Sequence, residues 1–141
     1  MDEPAAVRED RFPVALVYVV LFLLGAALGV WGAFLVPLRL PGGIEGLADV
    51  IALAGNIAVG FFAAIGVRSV AAAAMPGVGW LLTVLALGTV ARPSDEVVIP
   101  SGLGNDPGVG TVGTLFLIAG AVGAVLAILL ANWRLRRTGV L

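Results

Sequence analysis

Apolar residues in this chain form four long stretches, separated by short segments that hold most of the charged residues. The stretches cover approximately residues 14–36, 47–67, 71–91 and 111–131. Each is about 20 residues long, which is the length that an α-helix needs to cross a hydrocarbon core of about 30 Å. None alternates apolar and polar positions with the period of a strand. The pattern predicts an all-α fold, a four-helix transmembrane bundle in a single integral membrane domain over residues 1–141.

The overall composition agrees with this pattern. Of the 141 residues, 60% are hydrophobic and 12% are charged, whereas soluble domains are roughly 45–50% apolar and about 25% charged. These values exclude a soluble globular domain. The chain has no cysteine, histidine or lysine, which removes a disulfide scaffold and most catalytic residue sets. We therefore predict no enzymatic activity, no cofactor, no metal site and no nucleic-acid partner.

The distribution of arginine predicts the orientation. If both termini lie inside, the inner side holds six arginines (Arg8, Arg11, Arg68, Arg134, Arg136 and Arg137) and the outer side holds two (Arg39 and Arg92). This asymmetry follows the positive-inside rule. It predicts a multi-pass protein of a bacterial plasma membrane with both termini cytoplasmic. Trp133 then lies at the inner interface beside three arginines, a group that suits anionic head groups.

The three connections between the stretches differ in length and content. Residues 37–46 are rich in proline and glycine, and residues 68–69 allow only a tight hairpin, with Ser69 as a helix N-cap. The outer loop, residues 92–110, is the longest connection. Arg92, Asp95 and Glu96 form its charge cluster. This cluster is either a docking surface for a partner or a local group in which Arg92 pairs with Asp95 or reaches the head groups.

Small residues recur at helical spacing in three of the stretches. Such stripes let helix backbones approach closely in lipid. The spacing favours packing within one bundle, and a homodimer face or a contact with a larger partner is the alternative. The stripes are Gly25, Gly29, Gly32 and Ala33 in the first stretch, Ala52, Asn56, Gly60 and Ala64 in the second, and Ala119, Gly123 and Ala127 in the fourth, with Gly120 and Ala124 beside them.

Polar groups within the stretches are few. Asn56 lies near the middle of the second stretch, and its amide needs a partner, either a backbone carbonyl or the hydroxyl of Thr83 or Thr89. On this interpretation Asn56 links two helices. The alternative, functional interpretation is that Asn56 contacts a ligand or an ion. Asp49 falls in the first helical turn, where a carboxylate is favoured by the helix dipole. Pro76 either kinks a third helix that begins near residue 71 or begins that helix itself.

Several short motifs in the C-terminal half occur in a fixed order. They resemble a family of small four-span membrane proteins from actinobacteria, a family without an assigned activity. The resemblance implies a four-span topology and transfers no site. The motifs are Gly79-Trp80-Leu81, Arg92-Pro93 followed by acidic residues, Gly102-Leu103-Gly104, and Leu115-Phe116-Leu117 leading to Gly120.

Together these features predict an accessory or structural subunit that contacts other membrane components. Its partners would be the lipid bilayer and either another membrane protein or a second copy of the chain. The predicted contact residues are Arg92, Asp95 and Glu96 in the outer loop, together with Trp80 and Asn56. The alternative is a small homo-oligomeric channel or carrier built around the second and fourth helices.

Overall fold

A computed structural model describes residues 11–36, 46–89 and 107–139. These ranges contain four α-helices and no strand: α1 (Arg11–Leu35), α2 (Leu47–Val67), α3 (Val70–Thr89) and α4 (Pro107–Arg137). Each helix includes a segment that is long and apolar enough to cross a membrane. The predicted all-α class and the predicted number of spans are therefore confirmed.

The helix bounds differ from the predicted spans mainly in α4. The helix begins at Pro107 and ends at Arg137, whereas the apolar stretch covers residues 111–131 and the predicted outer loop extends to residue 110. Proline is favoured at the first helical position because its missing N–H would have no partner there. The last turn carries Arg134, Arg136 and Arg137, which are stabilised by the negative end of the helix dipole. Hydropathy thus marked the crossing segment and not the whole helix.

The most extensive contacts join helices that are not consecutive in the chain. α1 packs chiefly on α3, and α2 packs chiefly on α4, while α3 also contacts both α2 and α4. In the first pair, Gly25 faces Pro76 and Gly29 faces Trp80, so residue numbers rise together and the helices are parallel. In the second pair, Asn56 lies at Gly123, and Ala127 lies at Gly60 one turn later. The bundle therefore consists of two parallel pairs.

The turn between α2 and α3 is closed by backbone hydrogen bonds. Arg68 adopts the left-handed conformation (φ 56°), and the N–H groups of Arg68 and Ser69 both donate to the carbonyl oxygen of Ala64. Ser69 caps α3 through its carbonyl, which accepts a bond from Ala72 at 3.2 Å. Its hydroxyl instead accepts a hydrogen bond from Tyr18 at 3.2 Å. The turn is thereby joined to α1.

Pro76 lies inside α3, which begins six residues earlier at Val70. Of the two predictions for this proline, the structure selects the one in which the helix continues through it. Proline has no N–H, so it cannot complete the helical hydrogen bond to the carbonyl four residues before it. Pro76 is fully buried, and its own carbonyl faces Gly25 of α1. The proline is therefore part of the contact between α1 and α3.

Candidate functional site

The three charged residues predicted to contact a partner, Arg92, Asp95 and Glu96, lie outside the described residues. The structure describes the other two predicted contact residues, Trp80 and Asn56. Both side chains are inside the bundle, with 0% and 1% of their surface exposed. A partner that touched either side chain directly would have to displace a packed helix.

Asn56 occupies the contact between α2 and α4. Its Nδ2 donates a hydrogen bond to the carbonyl oxygen of Ala52 at 2.9 Å, which confirms the predicted backbone carbonyl as its partner. Because Ala52 belongs to the same helix, this bond does not join two helices. The Oδ1 atom of Asn56 is buried and has no hydrogen-bond partner in the described part of the chain. The amide thus keeps an unused acceptor in the interior.

The two threonines considered as partners of Asn56 are engaged elsewhere. Thr89 donates its hydroxyl to the carbonyl oxygen of Ala86 at 2.8 Å. Thr83 lies beside Gly29 of α1, where its side chain would contact an added methyl group at 3.3 Å. Neither threonine supplies the interhelical bond that the sequence suggested.

Trp80 is the largest side chain of the core. Its ring packs against Phe116 with a centroid distance of 5.4 Å and an interplanar angle of 55°. The six-membered part of the indole covers Gly120, leaving no room for a side chain at that position. The indole Nε1 is buried, and no hydrogen-bond partner for it occurs among residues 11–36, 46–89 and 107–139. Within the described residues, the core therefore contains one donor and one acceptor without hydrogen-bond partners.

The two residues that carry these atoms pack against successive glycines of one helix. Trp80 covers Gly120 of α4, and Asn56 lies against Gly123 of the same helix. Leaving a polar group without a hydrogen-bond partner in a hydrocarbon environment destabilises the fold by roughly several kcal/mol. We refer to Asn56 and Trp80 as the polar pair. Both side chains are neutral, and both are almost completely buried.

The small-residue stripes are used within the bundle. An added methyl group at Gly25 would overlap the Pro76 carbonyl, and one at Gly79 would overlap the Phe22 carbonyl. A methyl group at Gly123 would lie 2.6 Å from the carbonyl oxygen of Leu53. These contacts confirm the predicted packing within one chain. A similar stripe on α3 was not predicted, although Ala72, Pro76 and Gly79 recur there at helical spacing in the sequence.

Asp49 lies in the first turn of α2, as predicted. Its Oδ2 is close to Gly46, where an added methyl group would lie 3.5 Å away. Gly46 precedes the helix with a φ of 98° and makes no side-chain capping bond. The Oδ1 atom of Asp49 is buried without a hydrogen-bond partner in the described ranges. This position places the carboxylate at the positive end of the α2 dipole.

The end of α4 carries a basic and aromatic group. The guanidinium carbon of Arg137 lies 4.1 Å from the centre of the Trp133 ring, a cation–π geometry. Arg136 donates from Nε to Oδ1 of Asn132 at 3.1 Å. Arg134, Arg136 and Arg137 are exposed. The structure thus brings Trp133 together with the arginines, as the sequence predicted.

No protein-family model, no curated protein and no solved structure matches this chain. The resemblance to the actinobacterial four-span family remains a prediction that depends on the motifs quoted above.

Proposed function

We propose that the protein is an accessory or structural subunit of a bacterial plasma membrane. The observation that supports this role most is the contrast between its interior and its surface. Glycines of all four helices pack against other residues of the same chain, whereas several large aromatic side chains point outward. Trp31 is 73% exposed and Phe62 is 70% exposed. The helices thus pack closely against one another, and the outer surface of the bundle is apolar.

Contact with a membrane partner would use this surface and the outer loop, in particular Arg92, Asp95 and Glu96. Large apolar side chains at an exposed face suit either lipid or the side of another membrane protein. A partner would therefore bind without opening the two helix pairs. The polar pair would then serve the fold and not the contact.

A photo-crosslinking experiment in native membranes tests this role. The photoreactive residue p-benzoylphenylalanine is introduced at Phe62, at Trp31 or at Glu96, and at buried Phe116 as the matched aromatic control. We expect a discrete cross-linked product with a different protein from Phe62, Trp31 or Glu96 and none from Phe116. If these three positions yield only lipid adducts, the proposal of a protein partner is wrong.

We propose an orientation with both termini in the cytoplasm. The turn that carries Arg68 and the end of α4 that carries three arginines lie at the same end of the bundle, which suits the positive-inside rule. The chain has no cysteine, so a single Thr138→Cys variant can report the side of the membrane. A membrane-impermeant maleimide should label it only after the membrane is opened. Labelling of intact cells would contradict the orientation.

A channel or carrier is the second candidate, and the polar pair favours it. Inside the bundle, Asn56 has an acceptor and Trp80 a donor that find no hydrogen-bond partner among the described residues, and a path for a small polar solute would require such groups. Ion and solute flux into proteoliposomes should then be measurable and should fall in an Asn56→Leu variant. Equal flux in protein-free vesicles would exclude this function.

A further inference from the structure

We propose that one end of the bundle is a binding surface for the head groups of anionic phospholipids. The surface is built from two separate elements, the turn between α2 and α3 and the last turns of α4. Its residues are Arg68, Trp133, Arg134, Arg136 and Arg137, which we call the basic end. The proposal goes beyond the subunit role and depends only on the four helices spanning a bilayer.

The register between α2 and α4 brings the two elements to the same level. Asn56 lies at Gly123, Gly60 at Ala127, and Ala64 packs with Ala131. Arg68 and Leu135 lie one helical turn beyond Ala64 and Ala131 along the two parallel helices. Leu135 is buried, so it faces the bundle, and its neighbours Arg134 and Arg136 are exposed on either side of it.

The side chains at this end are arranged for an interface with head groups. Trp133 is half exposed, and an indole prefers the boundary between hydrocarbon and water. Arg137 stacks on it at 4.1 Å, and Arg136 is oriented by its bond to Asn132. Guanidinium groups held in this way present several N–H donors to a phosphate group. The surface therefore combines an apolar anchor with oriented donors.

The charges of the described residues at this end favour an anionic ligand. Among the described residues one is acidic, Asp49. It lies at the opposite end of the bundle, near Gly46. Among the described residues the basic end thus carries four positive charges and no carboxylate. A surface arginine gains about fivefold in affinity for an anionic membrane, so three arginines are expected to supply on the order of 100-fold.

Tryptophan fluorescence can locate the preferred lipid. The chain has three tryptophans, of which Trp80 is buried, Trp133 lies at the basic end and Trp31 lies near the opposite end of α1. In a Trp31→Phe variant, quenching by brominated lipid therefore reports on Trp133. The vesicles contain phosphatidylcholine and phosphatidylglycerol in equal amounts, with bromine on one lipid or on the other. We expect brominated phosphatidylglycerol to quench Trp133 several-fold more strongly.

Two matched variants separate this preference from a general effect of the membrane. A Trp133→Phe variant leaves Trp31 as the exposed reporter, and both brominated lipids should quench it about equally. The Arg134→Gln, Arg136→Gln and Arg137→Gln triple variant should abolish the preference at Trp133. The corresponding triple lysine variant keeps the charge and should retain most of it. If the glutamine triple variant does not fold, the single Arg137→Gln and Arg68→Gln variants should each lower the preference.

Three results would overturn the proposal. The first is equal quenching of Trp133 by the two lipids. The second is a preference that persists in the glutamine variants. The third is loss of the preference when inorganic phosphate replaces chloride at constant ionic strength, because the ligand would then be free phosphate and not a lipid head group.

Discussion

The contact of α1 with α3 and the contact of α2 with α4 are both parallel and both depend on glycine, but they differ in how closely the glycines approach the facing helix. In the first contact, Gly25 and Gly79 face backbone carbonyl groups of the other helix. In the second, an added methyl group would lie 2.7 Å from the Cβ of Ala127 at Gly60 and 2.6 Å from the carbonyl oxygen of Leu53 at Gly123. Side chains lie beside both contacts, but an added methyl group would overlap the facing atoms more deeply at Gly25 and Gly79 than at Gly60 and Gly123.

The difference teaches how close approach is achieved in a membrane. Hydrocarbon surrounds the helices, so burying one more apolar side chain gains little, and contact between backbones contributes more. A backbone carbonyl cannot move aside without moving its helix, and the same holds for a Cβ, which is bonded directly to the backbone. The depth of the overlap therefore decides how far two helices must separate. We therefore expect the α1–α3 contact to be the less tolerant of added volume.

The largest effect is expected from Gly79→Ala. The new methyl group would overlap the Phe22 carbonyl, so α1 and α3 would have to separate. We expect a loss of about 3 kcal/mol or more in the free energy of unfolding, at the upper end of overpacking effects. Titration with sodium dodecyl sulfate in mixed micelles measures it. A loss below that of the α2–α4 variant described next would reverse the comparison.

A smaller loss is expected from Gly123→Ala. Its methyl group would lie 2.6 Å from the Leu53 carbonyl oxygen and 3.2 Å from the Cβ of Asn56. Because this overlap is shallower than the one at Gly79, we expect a loss of about 1–2 kcal/mol in the same titration. A loss as large as that from Gly79→Ala would contradict the difference between the two contacts.

The polar group in the α2–α4 contact gives a third prediction. Asn56 donates only within its own helix, and its Oδ1 has no partner in the described ranges. Removing an unsatisfied buried acceptor is neutral or stabilising. We expect Asn56→Leu, which has the same number and branching of heavy side-chain atoms, to raise the free energy of unfolding by up to about 1 kcal/mol. A clear loss would mean that the amide makes a stabilising contact, for example with bound water.

The smallest effect is expected from Gly88→Ala, which serves as the control for Gly79→Ala in the same helix. No atom lies within 4 Å of the position that its methyl group would take. Detergent-unfolded membrane helices remain largely helical, so the helix propensity of alanine contributes little. We expect a change below about 0.5 kcal/mol, within the usual range for surface substitutions. A larger change would show that Gly88 contacts another part of the protein or a partner.

Particular residues show how far the sequence could lead. The bounds of α2 agree with the apolar stretch 47–67, because Gly46 and Arg68 interrupt the pattern at both ends. Asn56 and Trp80 could be singled out by residue type, but the hydropathy pattern did not indicate that both side chains face the interior. For Trp80 the neighbouring Phe116 and Gly120 decide this, and they belong to another helix.

The sequence by itself determined the class of protein, the four spans, the small-residue stripes and the concentration of arginine near the ends of the helices. Only the tertiary structure decided that α1 pairs with α3 and α2 with α4. It also decided that the small-residue stripes pack against other helices of the same chain. The physical reason is the solvent. In water a polar face tells which side of a helix points outward, whereas in a bilayer the inner and outer faces are both apolar. The rotation and pairing of the helices must then come from the fit of their surfaces.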